Sequence, residues 1–169
     1  GSSSNPFHYT DTSGVKHEID RRTIKSLSLT SVSNDVKEIK VDFLFRCSNL
    51  VSVDLSGLNN VETIGGYFLA GNAEGTNKLT TLDLSAFTNV KSIGTAFLAC
   101  STLITTLDLT PLVNVETIDS DFLSRCADLY KADMSKMSKL KSIGKDLLKA
   151  DVYLRTLVLP QPADGKIPT

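Results

Sequence analysis

The most constraining feature of this sequence is an aspartate phrase that returns at nearly constant intervals. Each aspartate lies between two apolar residues, and a serine or threonine follows. The four are Asp54, Asp83, Asp108 and Asp133, separated by 29, 25 and 25 residues. Periods of about 20–50 residues are typical of solenoids, in which each repeat buries its apolar face only against its neighbours. The sequence therefore predicts a stack of repeats of about 25 residues.

Alignment of the repeats on this period predicts two short strands in each. In the first, apolar residues alternate with the aspartates, which is the period of a strand with one buried face. These first strands are expected within residues 24–29, 50–55, 79–84, 104–109, 129–134 and 154–159. The second strand ends on an inward isoleucine, namely Ile39, Ile64, Ile93, Ile118 and Ile143. Both sets of strands should stack in parallel, and Leu157 and Leu159 should point inward in the last coil.

Most of these isoleucines have a phenylalanine four positions later in the sequence. We interpret this column of phenylalanines as part of the hydrophobic core. It contains Phe43, Phe68, Phe97 and Phe122. An aromatic platform for nucleic-acid bases would need basic neighbours, which the column lacks. In the middle repeat, we expect almost complete burial of Leu82, Leu84, Val90, Ile93 and Phe97.

Two polar columns indicate that neighbouring coils lie in register. In each second strand, the residue two positions before the inward isoleucine alternates in sign through Lys37, Glu62, Lys91, Glu116 and Lys141. Stacked in register, every charge would face opposite charges, which penalises slipped pairings. An asparagine column, Asn60, Asn89 and Asn114, should bond the backbone of adjacent coils at a recurring bend.

Composition and motifs argue against several classes of function. The net charge of −1 and a pI near 6.1 provide no global basic field, so we expect no nucleic-acid partner. No apolar run approaches the roughly 20 residues of a bilayer span, so no membrane insertion is expected. The two histidines lack zinc-site spacing, and phosphate-binding and nucleophile-elbow motifs are missing. The three cysteines are expected to be free thiols. We therefore predict a protein that is not an enzyme and uses no cofactor or metal.

The repeat resembles a known family. In one repeat, residues 79–85 read Leu-Thr-Thr-Leu-Asp-Leu-Ser, residues 89–94 Asn-Val-Lys-Ser-Ile-Gly and residues 97–100 Phe-Leu-Ala-Cys. This resembles the BspA-like, or Treponema pallidum-type, leucine-rich repeat, and the likeness covers about residues 24–160. It implies a leucine-rich-repeat solenoid, a short curved array of about five to six mainly parallel β repeats. It also implies a surface or secreted protein used for adhesion and protein–protein contact.

The two ends of the chain differ from the repeats. Residues 1–4 look like an expression remnant, and residues 5–23 read as two strands around a turn that cap the array or form a degenerate repeat. The repeats should occupy residues 24–160 and a tail residues 161–169. Since no obvious cap follows the last strand, its open edge could pair two copies end to end as a homodimer.

The aspartate column is the candidate binding site. We expect Asp54, Asp83, Asp108 and Asp133 on the outer side of the first strand, beside a second column that includes Thr81, Thr106 and Lys131. Such a stripe suits a protein partner rich in lysine and arginine, or a glycan. The alternative is that each aspartate only accepts hydrogen bonds from the flanking serine or threonine. For the whole chain, the alternative to recognition is a structural spacer or assembly segment of a larger protein.

Overall fold

The computed structural model describes residues 7–10, 13–72 and 75–161 as a parallel β solenoid of about five turns with almost no helix. This architecture agrees with the solenoid that the period predicts. The expected expression remnant and the tail beyond Gln161 lie outside the described residues, as do two residues of the hairpin turn. Among the described residues, no helix has the length and apolar character needed to span a membrane.

Eleven short strands and a single 3-10 turn, Phe87–Asn89, make up the regular structure of the described residues. The strands are β1 (Phe7–Thr10), β2 (Lys16–Ile19), β3 (Ser26–Ser28), β4 (Glu38–Ile39), β5 (Ser52–Asp54), β6 (Thr63–Ile64), β7 (Ser92–Ile93), β8 (Thr117–Ile118), β9 (Lys131–Asp133), β10 (Ser142–Ile143) and β11 (Thr156–Val158). β1 and β2 form an antiparallel hairpin before the repeats.

The second strands form one continuous parallel sheet in the order β10-β8-β7-β6-β4. Every pair is in the register that the isoleucine column predicts, for example Ile39 opposite Ile64 and Ile93 opposite Ile118. The side chains of the first four isoleucines are buried. This sheet therefore fixes the register of the stack.

The first-strand face is less regular than the sequence predicts. β3 pairs with β5 and β9 with β11, but residues 79–84 form no strand and Thr106 contributes only an isolated bridge to Lys131. The expectation of a strand here was wrong. The break lies beside the insertion at residues 71–78, where the side chain of Asn77 accepts the N–H of Leu79 at 3.1 Å. Leu82 and Leu84 are nevertheless buried, so packing maintains the face where the backbone ladder does not.

A third inter-coil ladder runs through turns in which non-glycine residues adopt left-handed φ angles. In the coil centred on Phe97 these residues are Ala96, Leu98 and Cys100, with φ between 56° and 62°. Their N–H groups donate to carbonyls of neighbouring coils at 2.8–2.9 Å. Left-handed backbone costs roughly 1–2 kcal/mol for an L-residue. The inter-coil hydrogen bonds offset that strain, so the turns hold their shape only within the stack.

The phenylalanine column forms an aromatic stack along the solenoid axis. Neighbouring rings of Phe43, Phe68, Phe97 and Phe122 lie 5.2–5.5 Å apart and within 10° of parallel. The core interpretation is confirmed, and the five residues expected to be buried in the middle repeat are all buried.

Two of the four neighbouring pairs in the charge column form ion pairs between coils, whereas Lys37–Glu62 and Lys91–Glu116 form none among the described residues. Lys91 donates to Glu62 at 2.6 Å and Lys141 to Glu116 at 2.5 Å. These hydrogen bonds lower the pKa of each glutamate and raise that of Lys91.

In the asparagine column, Asn89 and Asn114 donate to backbone carbonyls of the preceding coil at 2.8 and 2.7 Å, as expected. Asn60 departs from that expectation, because it donates to the side chain of Asn34 at 2.9 Å. The column still links one coil to the next at each position.

The last described coil buries its leucines less completely than the coils before it. Leu157 and Leu159, expected to point inward, are 43% and 36% exposed, whereas their equivalents Ala132 and Met134 are buried. The inward assignment therefore fails at this end. The physical reason is that no further coil of the described chain covers β11.

Leu107→Ala tests the buried columns at mid-array. Leu107 is only 8% exposed, so its truncation should leave a cavity and lower the free energy of unfolding by about 2–5 kcal/mol. In the matched control, Leu103→Ala removes a side chain of the same coil that is 42% exposed, at a cost well below about 1 kcal/mol. Denaturant titration followed by circular dichroism measures both. Equal costs for the two variants would contradict the burial of this column.

Glu116→Lys tests the charge ladder. It places three lysines in neighbouring coils, at positions 91, 116 and 141, and should lower the thermal midpoint at low salt. Added salt should reduce the loss, because exposed charges are screened. Glu18→Lys makes the same charge change on the hairpin and should have a smaller effect. An unchanged midpoint for Glu116→Lys at low ionic strength would show that these side chains do not interact.

Candidate functional site

Each aspartate of the candidate site closes a tight turn at the end of its first-strand segment. The Oδ1 atoms of Asp54, Asp83, Asp108 and Asp133 accept the backbone N–H of the residue two positions later at 2.8–3.1 Å. This is the Asx turn that short acidic side chains favour. The hydrogen bonds that the structural alternative requires are therefore present in all four repeats, and they do not exclude a binding role.

The turn hydrogen bonds also favour the ionised form of three of these carboxylates, Asp54, Asp83 and Asp133. Donation from the backbone N–H and the side chain of Ser56 lowers the pKa of Asp54, and Ser85 does the same for Asp83. The side chains of Ser135 and Lys131 lower the pKa of Asp133 to about 2. The negative charge is therefore fixed at neutral pH in at least three of the repeats.

The structure leaves most of the predicted stripe facing solvent. Asp54, Asp83 and Asp108 are exposed, whereas Asp133 is half-buried and forms an ion pair with Lys131 at 3.0 Å. The negative charge of Asp54 raises the pKa of Asp83 and so offsets part of the lowering by Ser85. These two carboxylates therefore lie close enough to interact electrostatically. The neighbouring column is exposed throughout, at Ser52, Thr81, Thr106, Lys131 and Thr156. The stripe is thus a run of exposed turns, and only its two ends are regular strands.

The insertion at residues 71–78 places a polar network in the core that sequence reasoning missed. Asn77 is buried, and its amide donates to the carbonyl of Leu69 at 2.7 Å and to the hydroxyl of Ser101 at 3.0 Å. The Gly- and Asn-rich composition of residues 71–78, which hold the four extra residues of this repeat, is typical of a surface loop. Its one extra signal was that Asn77 lies two residues before the buried Leu79.

Two of the three cysteines, Cys47 and Cys126, do not have the properties of reactive thiols. All three are free, as expected, and Cys47 and Cys126 are buried. Burial raises the pKa of Cys47 to about 11 and that of Cys126 to about 12, so both remain protonated at neutral pH. Within the described residues, no group of three or more His, Cys, Asp and Glu side chains could hold a metal ion.

An apolar cleft of about 670 Å³ lies between the hairpin and the first coil. Its walls include Ile24, Leu27, Val32 and Phe43, with His17 at the hairpin side. These apolar residues are only half-buried. The hairpin therefore covers this end of the core incompletely.

Within the described parts of the chain, Asp151 is the one carboxylate outside the stripe whose pKa is strongly perturbed. It occupies the position of Cys126 in the last coil, and its Oδ1 accepts the N–H of Cys126 at 2.8 Å. Its Oδ2 is buried without a hydrogen-bond partner among the described residues. Desolvation raises the pKa of Asp151 to about 6. In the two preceding coils, the equivalent Ser101 and Cys126 donate to a leucine carbonyl, which an ionised carboxylate cannot do.

Asp151 should make the stability of the protein fall as pH rises from about 4 to about 6. Its pKa is higher in the folded state, about 6, than the usual 3.9 or so, so the folded state binds the proton more tightly across that interval. Asp151→Asn, which retains an acceptor and adds a donor, should flatten this slope and raise stability at pH 7. Asp128→Asn is the matched control. Thermal denaturation at several pH values measures the slope, and an identical slope in the Asp151 variant would contradict the assignment.

Comparison with known proteins gives one match. The model of the BspA type leucine rich repeat region matches the chain in six copies over residues 18–164. No curated protein and no solved structure matches the chain. The six matched copies cover the repeats that the aspartate, isoleucine and phenylalanine columns delimit. The chain belongs to the BspA-type leucine-rich repeat family.

Proposed function

We propose that this chain is a non-catalytic recognition module that binds a protein through its first-strand face. Its repeat family suggests a protein-interaction module. The observation that carries the proposal is the exposed run of turns at Asp54, Asp83 and Asp108, whose charges a rigid core holds in place. Rigid presentation lowers the conformational cost of binding.

The Asx turns and a binding role are compatible. The turn uses Oδ1 of each aspartate as an acceptor, whereas the negative charge of the carboxylate remains at the surface. Thr81 and Thr106 add exposed hydroxyls, and Lys131 adds an amino group that pairs with Asp133. A protein segment with lysine or arginine side chains fits this chemistry, and a glycan is the second ligand class that the hydroxyls suit. Adhesion at a cell surface would be one use of such a face.

The second candidate is a spacer or assembly segment, and the one-sided pairing of β11 among the described residues favours it. That edge could pair with another chain, including a second copy end to end. In this proposal residues 5–23 are the N-terminal cap, residues 24–160 the repeats and residues 161–169 a tail.

The double variant Asp83→Asn/Asp108→Asn tests the recognition face with a fluorescent lysine- and threonine-rich peptide as probe. Asparagine keeps the Oδ1 acceptor of the turn and removes the charge, so folding should be retained while binding weakens at least about fivefold. Asp119→Asn, at an exposed position outside the stripe, is the control. Binding of the probe by fluorescence anisotropy that survives the double change would contradict the proposal.

A matched pair of variants separates charge from turn structure. Asp83→Ala removes both the charge and the acceptor for the N–H of Ser85. It should weaken probe binding as much as Asp83→Asn does, but it should also lower the thermal midpoint. If only the alanine variant binds poorly, the aspartate acts through the turn and the charge has no role in recognition.

A further inference from the structure

A small apolar cluster lies outside the main core, on the face of the solenoid that the left-handed turns form. Ala70, Ala96 and Ala99 are buried in it, and the half-buried ring of Phe45 packs against them. The ring of Tyr67 lies 5.2 Å from that of Phe45, at an interplanar angle of 52°. Because Tyr67 is 41% exposed, the cluster ends in an aromatic surface that faces solvent.

Tyr67 occupies a backbone position that suits aspartate better than tyrosine. Its φ is 61°, and the equivalent residues of three other coils are Asp42, Asp121 and Asp146, with φ between 61° and 65°. Aspartate is enriched in left-handed backbone, which is strained for bulky side chains. The N–H of Tyr67 donates to the carbonyl of Thr95 at 2.7 Å, and the N–H of Asp121 makes the equivalent bond in its own coil at 2.9 Å. The inter-coil bond therefore does not require the aromatic ring.

Phe45 also differs from its equivalents in the other coils, which are Ala70, Ala99, Ser124 and Lys149. In the last two of these coils, polar side chains contact each other within the turn. Ser124 donates to Asp121 at 3.5 Å, and Lys149 forms an ion pair with Asp146 at 3.2 Å. The turn thus forms with either chemistry, and the fold does not demand the aromatic pair. A residue placed against its local preference is a reason to infer a functional role.

Two arginines contact the aromatic pair through Phe45. The guanidinium of Arg46 lies 5.8 Å from the centroid of the Phe45 ring, within the range of a cation–π interaction. Arg21 donates to the backbone carbonyl of Phe45 at 2.7 Å. Each guanidinium has five N–H donors, so it can serve several acceptors at once. Arginine pairs well with carboxylates, and tyrosine and arginine are enriched at the centres of protein interfaces.

These contacts discriminate between occupants of the surface. A second copy docked face to face would bring two pairs of arginines together, and like charges across an interface are costly. A neutral glycan could stack on Tyr67, but it would not use the positive charge beside Phe45. A polyanion without apolar groups would leave the rings uncovered. A protein segment with an apolar side chain and a carboxylate satisfies both the rings and the arginines.

We propose that the turn face of the first three coils docks an acidic protein segment on Phe45 and Tyr67. The segment places an apolar side chain against the two rings and a carboxylate beside Arg46. This inference rests on the proposed role of the chain in protein recognition and assigns a second surface to it. The partner chemistry is opposite to that of the aspartate stripe, which suits basic side chains.

The test uses the isotope-labelled full chain and a short peptide in which glutamates surround one leucine and one phenylalanine. In NMR titrations, the amide signals of Tyr67, Ala70, Ala96 and Ala99 should shift. Tyr67→Asn should weaken binding at least about fivefold, the loss expected at an interface hot spot. Its thermal midpoint should change little, because asparagine tolerates left-handed backbone. The control Tyr130→Asn alters a tyrosine of the first-strand face that is 55% exposed and should bind within about twofold of the wild type.

A second pair of variants isolates the charge. Arg46→Gln removes the positive charge beside Phe45, so binding should weaken and become less sensitive to added salt. Arg125 occupies the equivalent turn position three coils later, with a φ of 58°. Arg125→Gln is therefore the matched control, and it should leave the affinity within about twofold of the wild type.

Several outcomes would overturn the proposal. The four amides could fail to shift, or the Tyr67 and Tyr130 variants could bind the peptide equally. An oligo-glutamate peptide that binds as tightly would indicate a simple polyanion surface, and a neutral oligosaccharide that shifts the four amides when the peptide does not would make a glycan the occupant. A dimer that Tyr67→Asn dissociates, measured by light scattering, would make the occupant a second copy. Asp83→Asn/Asp108→Asn should leave this peptide bound, so a failure of the stripe proposal is distinguishable from a failure here.

Discussion

The stacking of each coil on its neighbours in one register is the constraint on which the rest of the structure depends. Strands of two or three residues are too short to be stable alone, and the left-handed turns are strained when isolated. Both persist because their N–H and C=O groups bond across coils, as when Leu98 donates to the carbonyl of Phe68 at 2.9 Å. The parallel phenylalanine rings and the alternating charge column then fit only this register.

The sequence predicted the parts of the fold that its period repeats. Each coil must place equivalent side chains opposite those of its neighbours, so residues that recur at the repeat period show which positions will meet. The isoleucine register, the buried phenylalanines and the lysine–glutamate pairs were predicted in this way. The left-handed turns were not predictable from residue types, because leucine and alanine occupy positions such as Leu98 and Ala96 where glycine would be the usual signal. The broken strand at residues 79–84 was missed because the buried network of Asn77 depends on tertiary contacts.

The candidate site was predictable in position but not in structure. Alternation with buried leucines placed Asp83 and Asp108 outside, as they are. Hydrogen bonds from the flanking serine or threonine were anticipated, and Asp83 and Asp108 accept the N–H groups of Ser85 and Thr110 in Asx turns. The last coil shows the limit of column reasoning. Leu159 occupies the same position in its repeat as the buried Met134, yet it is partly exposed. Burial at this position requires a following coil, and the periodic pattern alone does not show whether one is present.

Amide hydrogen exchange at the left-handed turns tests the stacking account most directly. The N–H groups of Leu98 and Leu123 donate to Phe68 and Phe97 of the preceding coils, so they should exchange only when the array opens. Their protection should approach that of global unfolding. Leu148 lies in the last full coil of the described chain, and its N–H donates to the carbonyl of Phe122 in the preceding coil. This N–H should exchange faster. Exchange of Leu98 and Leu123 at the rate of an unstructured chain would contradict the account, because the turns would then form without inter-coil hydrogen bonds.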